Sequence, residues 1–267
     1  MARRVRLDAE LVRRGLARSR DHAAELIAAA RVYASGSLAT KAATGVTPDA
    51  ALRVVEVPGQ PDYVSRGGHK LAGALAVFAP LGLRVAGRHA LDAGASTGGF
   101  TEVLLRAGAA TVAAVDVGYG QLAWSLQKDE RVTVLDRTNV KDLTPDLLVV
   151  TPDLVVADLS FISLTKVLPH LVAVAQPHAD FVLMVKPQFE VGRDAVGKGG
   201  VVRDPRLRAD AVMSVAGRGR PELGVRGVCA SPLPGPAGNV EYFVWLQRDA
   251  PAVRRDAVEE VISEGPQ

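Results

Sequence analysis

Cysteine is almost absent from this chain: Cys229 is the only one in 267 residues. That excludes a disulfide framework and any cysteine-built zinc cluster. Cys229 falls in the strand-like run 225–230, where a small buried hydrophobe is its expected role. Long apolar runs are missing too. No stretch approaches the roughly 20 residues that span a bilayer, and the arginine-rich start lacks a signal-peptide core, so an intracellular, cytoplasmic protein is expected. The five histidines (His22, His69, His89, His170, His178) show no metal-ligand spacing, and no metal is expected. Lysine is scarce, with 7 against 25 arginines, which makes each lysine mildly informative. The phosphate-loop signature G-x-x-x-x-G-K-[ST] is lacking as well. Residues 192–199 come near it, but Gly199 stands where a Ser or Thr is required, so this segment reads as a mobile substrate-side loop.

What is there centres on Asp92-Ala93-Gly94-Ala95-Ser96-Thr97-Gly98-Gly99-Phe100-Thr101. A short apolar run precedes it and Glu102-Val103-Leu104-Leu105 follows, so it reads as strand, glycine turn and helix start. Glycines in such a turn let a ligand lie against backbone N–H groups, and the helix N-terminus adds partial positive charge. Three residues separate Gly94 from Gly98, which departs from the dinucleotide fingerprint G-x-G-x-x-G. A carboxylate at Asp92 would repel a pyrophosphate but accept bonds from an ammonium group. Those features favour a zwitterionic nucleoside such as S-adenosylmethionine, with a purely structural turn as the alternative.

Charge is concentrated at the start. Residues 1–59 hold ten Lys and Arg against six Asp and Glu, while the remaining 208 residues sum to about −1. Seven arginines lie in the first twenty residues, and the guanidinium fork suits phosphate. Two short helices are expected here, one broken at Gly15 and one capped by Ser19, followed by short strands and a Pro/Gly linker. This gives a small N-terminal α+β domain over 1–57 and a linker over 58–64. The order Arg6-Leu7-Asp8, Leu11, Gly15, Ser19-Arg20, Ala23, Leu26-Ile27, Val32, Gly36 and Lys41 resembles the RNA-binding module named after ribosomal protein S-four. The resemblance implies RNA contacts by Arg4, Arg6, Arg13, Arg14, Arg18, Arg20 and Lys41. Ala30 departs from that family, which usually has glycine at this point.

From residue 65 to 248 strands and helices alternate. Strands are expected at 90–92, 112–116, 132–136, 154–158 and 181–186, with helices near 101–107, 121–126, 164–174 and 205–216. Such alternation predicts an α/β fold with a mostly parallel, doubly wound sheet, closed by an antiparallel C-terminal hairpin from 224–230 and 240–246. Residues 249–267 read as a polar tail, frayed or helical. The five strands end in Asp92, Asp116, Asp136, Asp158 and Lys186, at the rim where such sheets bind ligands. Asp116 is placed to bind a cofactor ribose and Asp136 to meet an adenine amino group, unless it merely shapes a turn. Asp158 lies next to the presumed methyl group.

The glycine motif, Asp158-Leu159-Ser160-Phe161-Ile162-Ser163 and Lys186-Pro187-Gln188-Phe189-Glu190, behind an RNA-binding module, resemble the TlyA family of ribosomal RNA 2′-O-methyltransferases. That family is similar to the FtsJ-type ribose methyltransferases, which have a Rossmann-like class I fold. The resemblance implies S-adenosylmethionine as cofactor, held by Asp92, Gly94, Ala95, Ser96, Gly98, Gly99, Phe100, Asp116, Asp136 and Asp158. It implies ribosomal RNA or ribosomal subunits as partner, with cytidine as the nucleotide. It also implies a catalytic set of Lys70, Asp158, Lys186 and Glu241. A ribose hydroxyl must lose its proton to attack, whereas a sulfonium methyl needs no activation, so base catalysis and positioning suffice. Lys186 is the expected base, with Asp158 and Glu241 orienting the hydroxyl. Burial and a neighbouring cation make an amine easier to deprotonate, and Lys70 is expected to tune the base in this way or to steer the nucleophile. Arginine never gives up its proton, so it could not substitute. Two other readings stay open: an RNA-binding assembly protein without turnover, and a haemolysin, a name the family also carries. The latter fits poorly with a chain that lacks a spanning segment and a strongly amphipathic basic helix.

Overall fold

The structure is a computed structural model that describes residues 4–55, 62–219 and 222–266. The chain forms two compact units, Met1–Asp62 and Tyr63–Gln267. Of the expected linker at 58–64, residues 58–61 lie outside the described residues. Tyr63 and Val64 belong to the second unit. A Cβ on Gly68 would come within 2.4 Å of the Tyr63 ring, and Val64 N–H donates to Glu102 at 2.6 Å.

In the first unit, β1 (Val5–Arg6) leads into α1 (Leu7–Arg13), and α2 (Arg20–Ala28) follows. Gly15 at φ +69° ends the first helix, and the Ser19 hydroxyl accepts from His22 N–H to cap the second. Leu7, Leu11, Ala23, Leu26 and Ile27 pack between the two helices and onto Val32. A three-stranded sheet pairs β2 (Val32–Ala34) with β3 (Ser37–Leu38) and with β5 (Leu52–Val54), while β4 (Gly45–Val46) pairs with β1. Ala30, where the resembling family has glycine, sits in the left-handed region at φ +56°. The turn is therefore kept at a cost that an L-residue pays and glycine does not.

The second unit opens with α3 (Arg66–Phe78), which buries Leu71, Ala74 and Phe78 on one face, each large side chain contributing about 1.5–3 kcal/mol. Then come β6 (His89–Ala93), α4 (Gly99–Arg106), β7 (Thr111–Val115), α5 (Trp124–Gln127), β8 (Val132–Leu135) and β9 (Leu154–Ala157). The chain continues through α6 (Leu164–Val174), β10 (Asp180–Val185), α7 (Pro187–Glu190), α8 (Pro205–Arg218), β11 (Leu223–Ala230), β12 (Tyr242–Arg248) and α9 (Arg255–Glu264). The seven-stranded sheet runs β11-β12-β10-β9-β6-β7-β8. Strands β10, β9, β6, β7 and β8 are parallel, and β12 pairs antiparallel with both β10 and β11. Helices cover both faces, so β9 and β10 are buried throughout and read as near-continuous apolar runs. The order reverses between β6 and β9, which opens the ligand crevice at the carboxyl ends of these strands. The expected polar tail is in part a packed helix: Val258 and Ile262, one turn apart on α9, are buried in the core with α8. Among the described residues no helix is long and apolar enough to cross a membrane.

Candidate active site

A cavity of about 470 Å³ lies over the carboxyl ends of β6, β7 and β9. Gly94, Ser96, Asp116 and Asp158 line it, as do Gln121, Thr138, Asn139, Leu159, Ser160, Phe161 and Ile162. Gly94 has φ +89°, and a Cβ there would come 2.4 Å from the Asp158 carbonyl oxygen, so only glycine lets the β6 turn pass this close to the end of β9. Asp116 braces the turn: its carboxylate accepts from Ser96 N–H at 2.9 Å and from Gly118 N–H at 2.7 Å.

The other residues of the glycine motif build the wall rather than line the cavity. Gly98 caps α4 at φ +98°, with the Leu126 and Leu122 side chains against it. Gly99 lets α4 approach α3, because a Cβ would meet Ser65 Oγ at 2.2 Å. Ala95 and Phe100 are buried, the latter beside Phe243. Asp136 accepts from Gly120 N–H at 2.8 Å and shapes that loop; its neighbours Thr138 and Asn139 are the ones that face the cavity. Asp92 turns inward. It is fully buried, one oxygen accepts from the Thr101 hydroxyl at 2.7 Å, and the other has no partner. Burial pushes its carboxyl up to about 7, and Asp158 and Asp116 nearby add to this.

Two ion pairs stand at the rim. Lys186 Nζ is 2.6 Å from Asp158 Oδ1 and donates to Ser160 Oγ at 2.9 Å. Lys70, from α3, donates to Glu241 Oε2 at 2.5 Å, both side chains buried. The register pairs Val185 with Tyr242, so Lys186 and Glu241 are the next residues outward on adjacent strands β10 and β12. Each lysine thus has a carboxylate as its contact partner, and the four charges balance. It is Asp158, not Lys70, that touches Lys186. Ser160 is a further contact of this lysine, one to which the motif around it assigns no role.

The segment 192–199, read as a mobile loop, is followed directly by an anchored stretch at Gly200 and Val202. Asn239 is buried and donates to Gly200 O at 2.8 Å, while its Oδ1 accepts from Val202 N–H at 2.9 Å. Cys229 is buried and its thiol is pushed up to about 12, as suits an inert hydrophobe. Among the described residues no cluster of acids, histidines and cysteines could hold a metal ion.

In the first unit, Arg6 and Arg20 converge on the buried Asp8, and Arg13 and Arg14 on the buried Glu10. The Arg6 guanidinium holds the Asp8 carboxyl well below the usual range, and Arg13 does so for Glu10. Each carboxylate is shared by two guanidiniums, so each cluster keeps a net positive charge with its arginines fixed in place. Arg18 lies 3.5 Å from Asp62, and Arg4 and Lys41 are exposed.

The donor set fits the cationic nucleoside expected from the sequence. An orphaned buried carboxylate oxygen beneath a glycine turn fits a group that brings positive charge, and the cavity has apolar walls with polar Gln121, Thr138 and Asn139. Residues 63–248 match the FtsJ-like methyltransferase family. The chain is 60% identical over 273 residues, covering all of both chains, to the 16S/23S rRNA (cytidine-2′-O)-methyltransferase TlyA of Mycobacterium tuberculosis. It is 42% identical to an rRNA methyltransferase-like protein, YqxC, of Bacillus subtilis, covering 92% of this chain and 86% of that one. A solved structure from Streptococcus thermophilus that carries the name hemolysin is 34% identical, covers 99% of this chain and 96% of its own, and superposes with a TM-score of 0.75. Match over the whole length, together with the glycine turn and the rim of paired charges, shows that the chain belongs to the FtsJ-like methyltransferases and, within them, to the TlyA family.

Proposed function

We propose that this protein transfers a methyl group from S-adenosylmethionine to a ribose 2′-hydroxyl of a cytidine in ribosomal RNA, acting in the cytoplasm. The observation that carries the reading is the contact of Lys186 with Asp158 and Ser160 at the edge of the cavity. S-adenosylmethionine, when bound, supplies an activated methyl group. Gly94, Ser96 and Asp116 would hold it along the glycine turn, with Gln121, Thr138 and Asn139 around its nucleoside end and Asp92 beneath.

Lys186 takes the hydroxyl proton, and Asp158 and Ser160 aim the amine at the hydroxyl. Lys70 and Glu241 form a fixed, buried pair on the neighbouring strand, where Glu241 braces the side of the site next to Lys186. Loss of the proton to Lys186 would leave an alkoxide-like oxygen able to accept the methyl group, the new O–C bond replacing the donor's S–C bond. The arginine clusters of the first unit bind the phosphates of folded RNA, so affinity falls as salt rises. The test is incubation of full-length protein and S-adenosylmethionine with unmodified small and large ribosomal subunits, followed by nucleoside analysis. 2′-O-methylcytidine is expected; a methylated base, or no methylated nucleoside on either subunit, overturns the reading.

A further inference from the structure

Glu190 closes α7, the four-residue helix that starts directly after Lys186. Its half-buried carboxylate accepts from the Ser163 hydroxyl at 2.5 Å and from Leu164 N–H at 2.7 Å. Those two donors are the N-cap and first residue of α6, at the far end of loop 158–163. Ser163 Oγ is also held by Thr165 N–H at 3.1 Å, so the cap and the tie share one hydroxyl. A second contact joins the same two segments: the Phe161 and Phe189 rings lie 5.2 Å apart.

Loop 158–163 needs such ties. Phe161 has φ +63° and is 92% exposed, a conformation that local preferences of an aromatic residue oppose and that burial does not enforce. The loop nonetheless carries both groups that touch Lys186, namely Asp158 at its start and Ser160 two residues on. Strands β9 and β10 are neighbours in the sheet, which brings Asp158 and Lys186 to one rim. What lies beyond the strands is set by the loops, and Glu190 links them at the far end of loop 158–163.

We propose that Glu190 is a positioning residue for methyl transfer: it fastens loop 158–163 to the helix behind Lys186 and so sets the Lys186, Asp158 and Ser160 contact. It touches neither substrate nor cofactor. The inference rests on Lys186 as proton acceptor. Displacing a reacting group by about 1 Å can cost about a hundredfold in rate, which sets the scale of the expected effect.

The experiment is single-turnover methyl transfer by full-length protein at saturating S-adenosylmethionine and unmodified ribosomal subunits. Glu190→Ala is expected to lose about ten- to a hundredfold in rate, with cofactor affinity by calorimetry within about threefold of wild type. Glu190→Gln keeps an acceptor for Leu164 N–H and should fall between. Ser163→Ala should slow the reaction as well, and adding it to Glu190→Ala should cost little more, because both act through one tie. A merely structural role would lower the melting midpoint without this loss at saturation. A wild-type rate in folded Glu190→Ala, or multiplicative losses in the double variant, overturns the proposal. Where Glu190→Ala does not fold, Glu190→Gln and Ser163→Ala carry the same test. Lys186→Ala, measured alongside, keeps the two readings apart. Full activity there overturns Lys186 as acceptor, whereas loss there with an unchanged rate in Glu190→Ala overturns Glu190 alone.

Discussion

Asp92 should make the second unit less stable as pH rises towards 7, and replacing it with asparagine should abolish that effect. The carboxyl is fully buried, is met by one hydroxyl, and is pushed from 3.8 to about 7. In the folded state it therefore holds a proton that the unfolded chain releases above pH 3.8. Stability linked to this group is fully present below the unfolded value and is lost progressively until about pH 7, then levels. Each pH unit is worth about 1.4 kcal/mol, so the loss between pH 5 and pH 8 should approach about 3 kcal/mol. An asparagine in its place would keep an oxygen for the Thr101 hydroxyl and carry no charge. Urea unfolding at pH 5 and pH 8 would measure the difference in wild type and Asp92→Asn. Both tryptophans, Trp124 and Trp245, lie in the second unit, so their fluorescence reports on it alone. The wild type should lose about 2–3 kcal/mol more than Asp92→Asn over this range. Equal pH dependence in the two proteins would refute the reasoning.

Further outcomes follow from single contacts. A bound cation favours ionised Asp92, so calorimetry should find S-adenosylmethionine affinity about tenfold tighter at pH 8 than at pH 6, and flat in Asp92→Asn. Equal affinities in wild type would contradict this. Gly94→Ala forces a left-handed alanine against the Asp158 carbonyl, and urea unfolding should show a loss of about 2–3 kcal/mol. Lys70→Met leaves the buried Glu241 without its cation and should cost about 3–5 kcal/mol, of which Lys70→Met with Glu241→Gln should recover a large part. Additive losses in that pair would argue against a coupled ion pair. Ala30→Gly removes left-handed strain and should stabilise the first unit by about 0.5 kcal/mol, read from hydrogen exchange in α2 and β2.

The sheet was legible because its strands are apolar runs ended by acids and separated by helix-length segments. The cavity was legible only in part. Gly94, Ser96, Asp116 and Asp158 line it, but Asp92 alternates to the inner side of β6 and Asp136 spends an oxygen on Gly120 N–H. Neither orientation can be read from a strand-ending aspartate. Gln121, Thr138 and Asn139 reach the cavity from loops whose course tertiary packing decides. Contacts across long separations were hidden altogether from residue patterns. Lys70 meets Glu241 across 171 positions and Glu190 meets Ser163 across 27, and only family resemblance placed the first pair in one site. Ala30 was visible as a departure from that resemblance, and its positive φ gives the departure a physical meaning.

The central claim is that Lys186 takes the proton from a ribose hydroxyl, and labelled methyl transfer to unmodified ribosomal subunits by wild type, Lys186→Ala and Lys186→Arg tests it most directly. Arginine keeps the charge opposite Asp158 but cannot act as a base, so both variants should lose about a hundred- to ten-thousandfold in rate while label in the wild type appears on ribose. Activity near wild type in Lys186→Arg, or label on a base, would contradict the account.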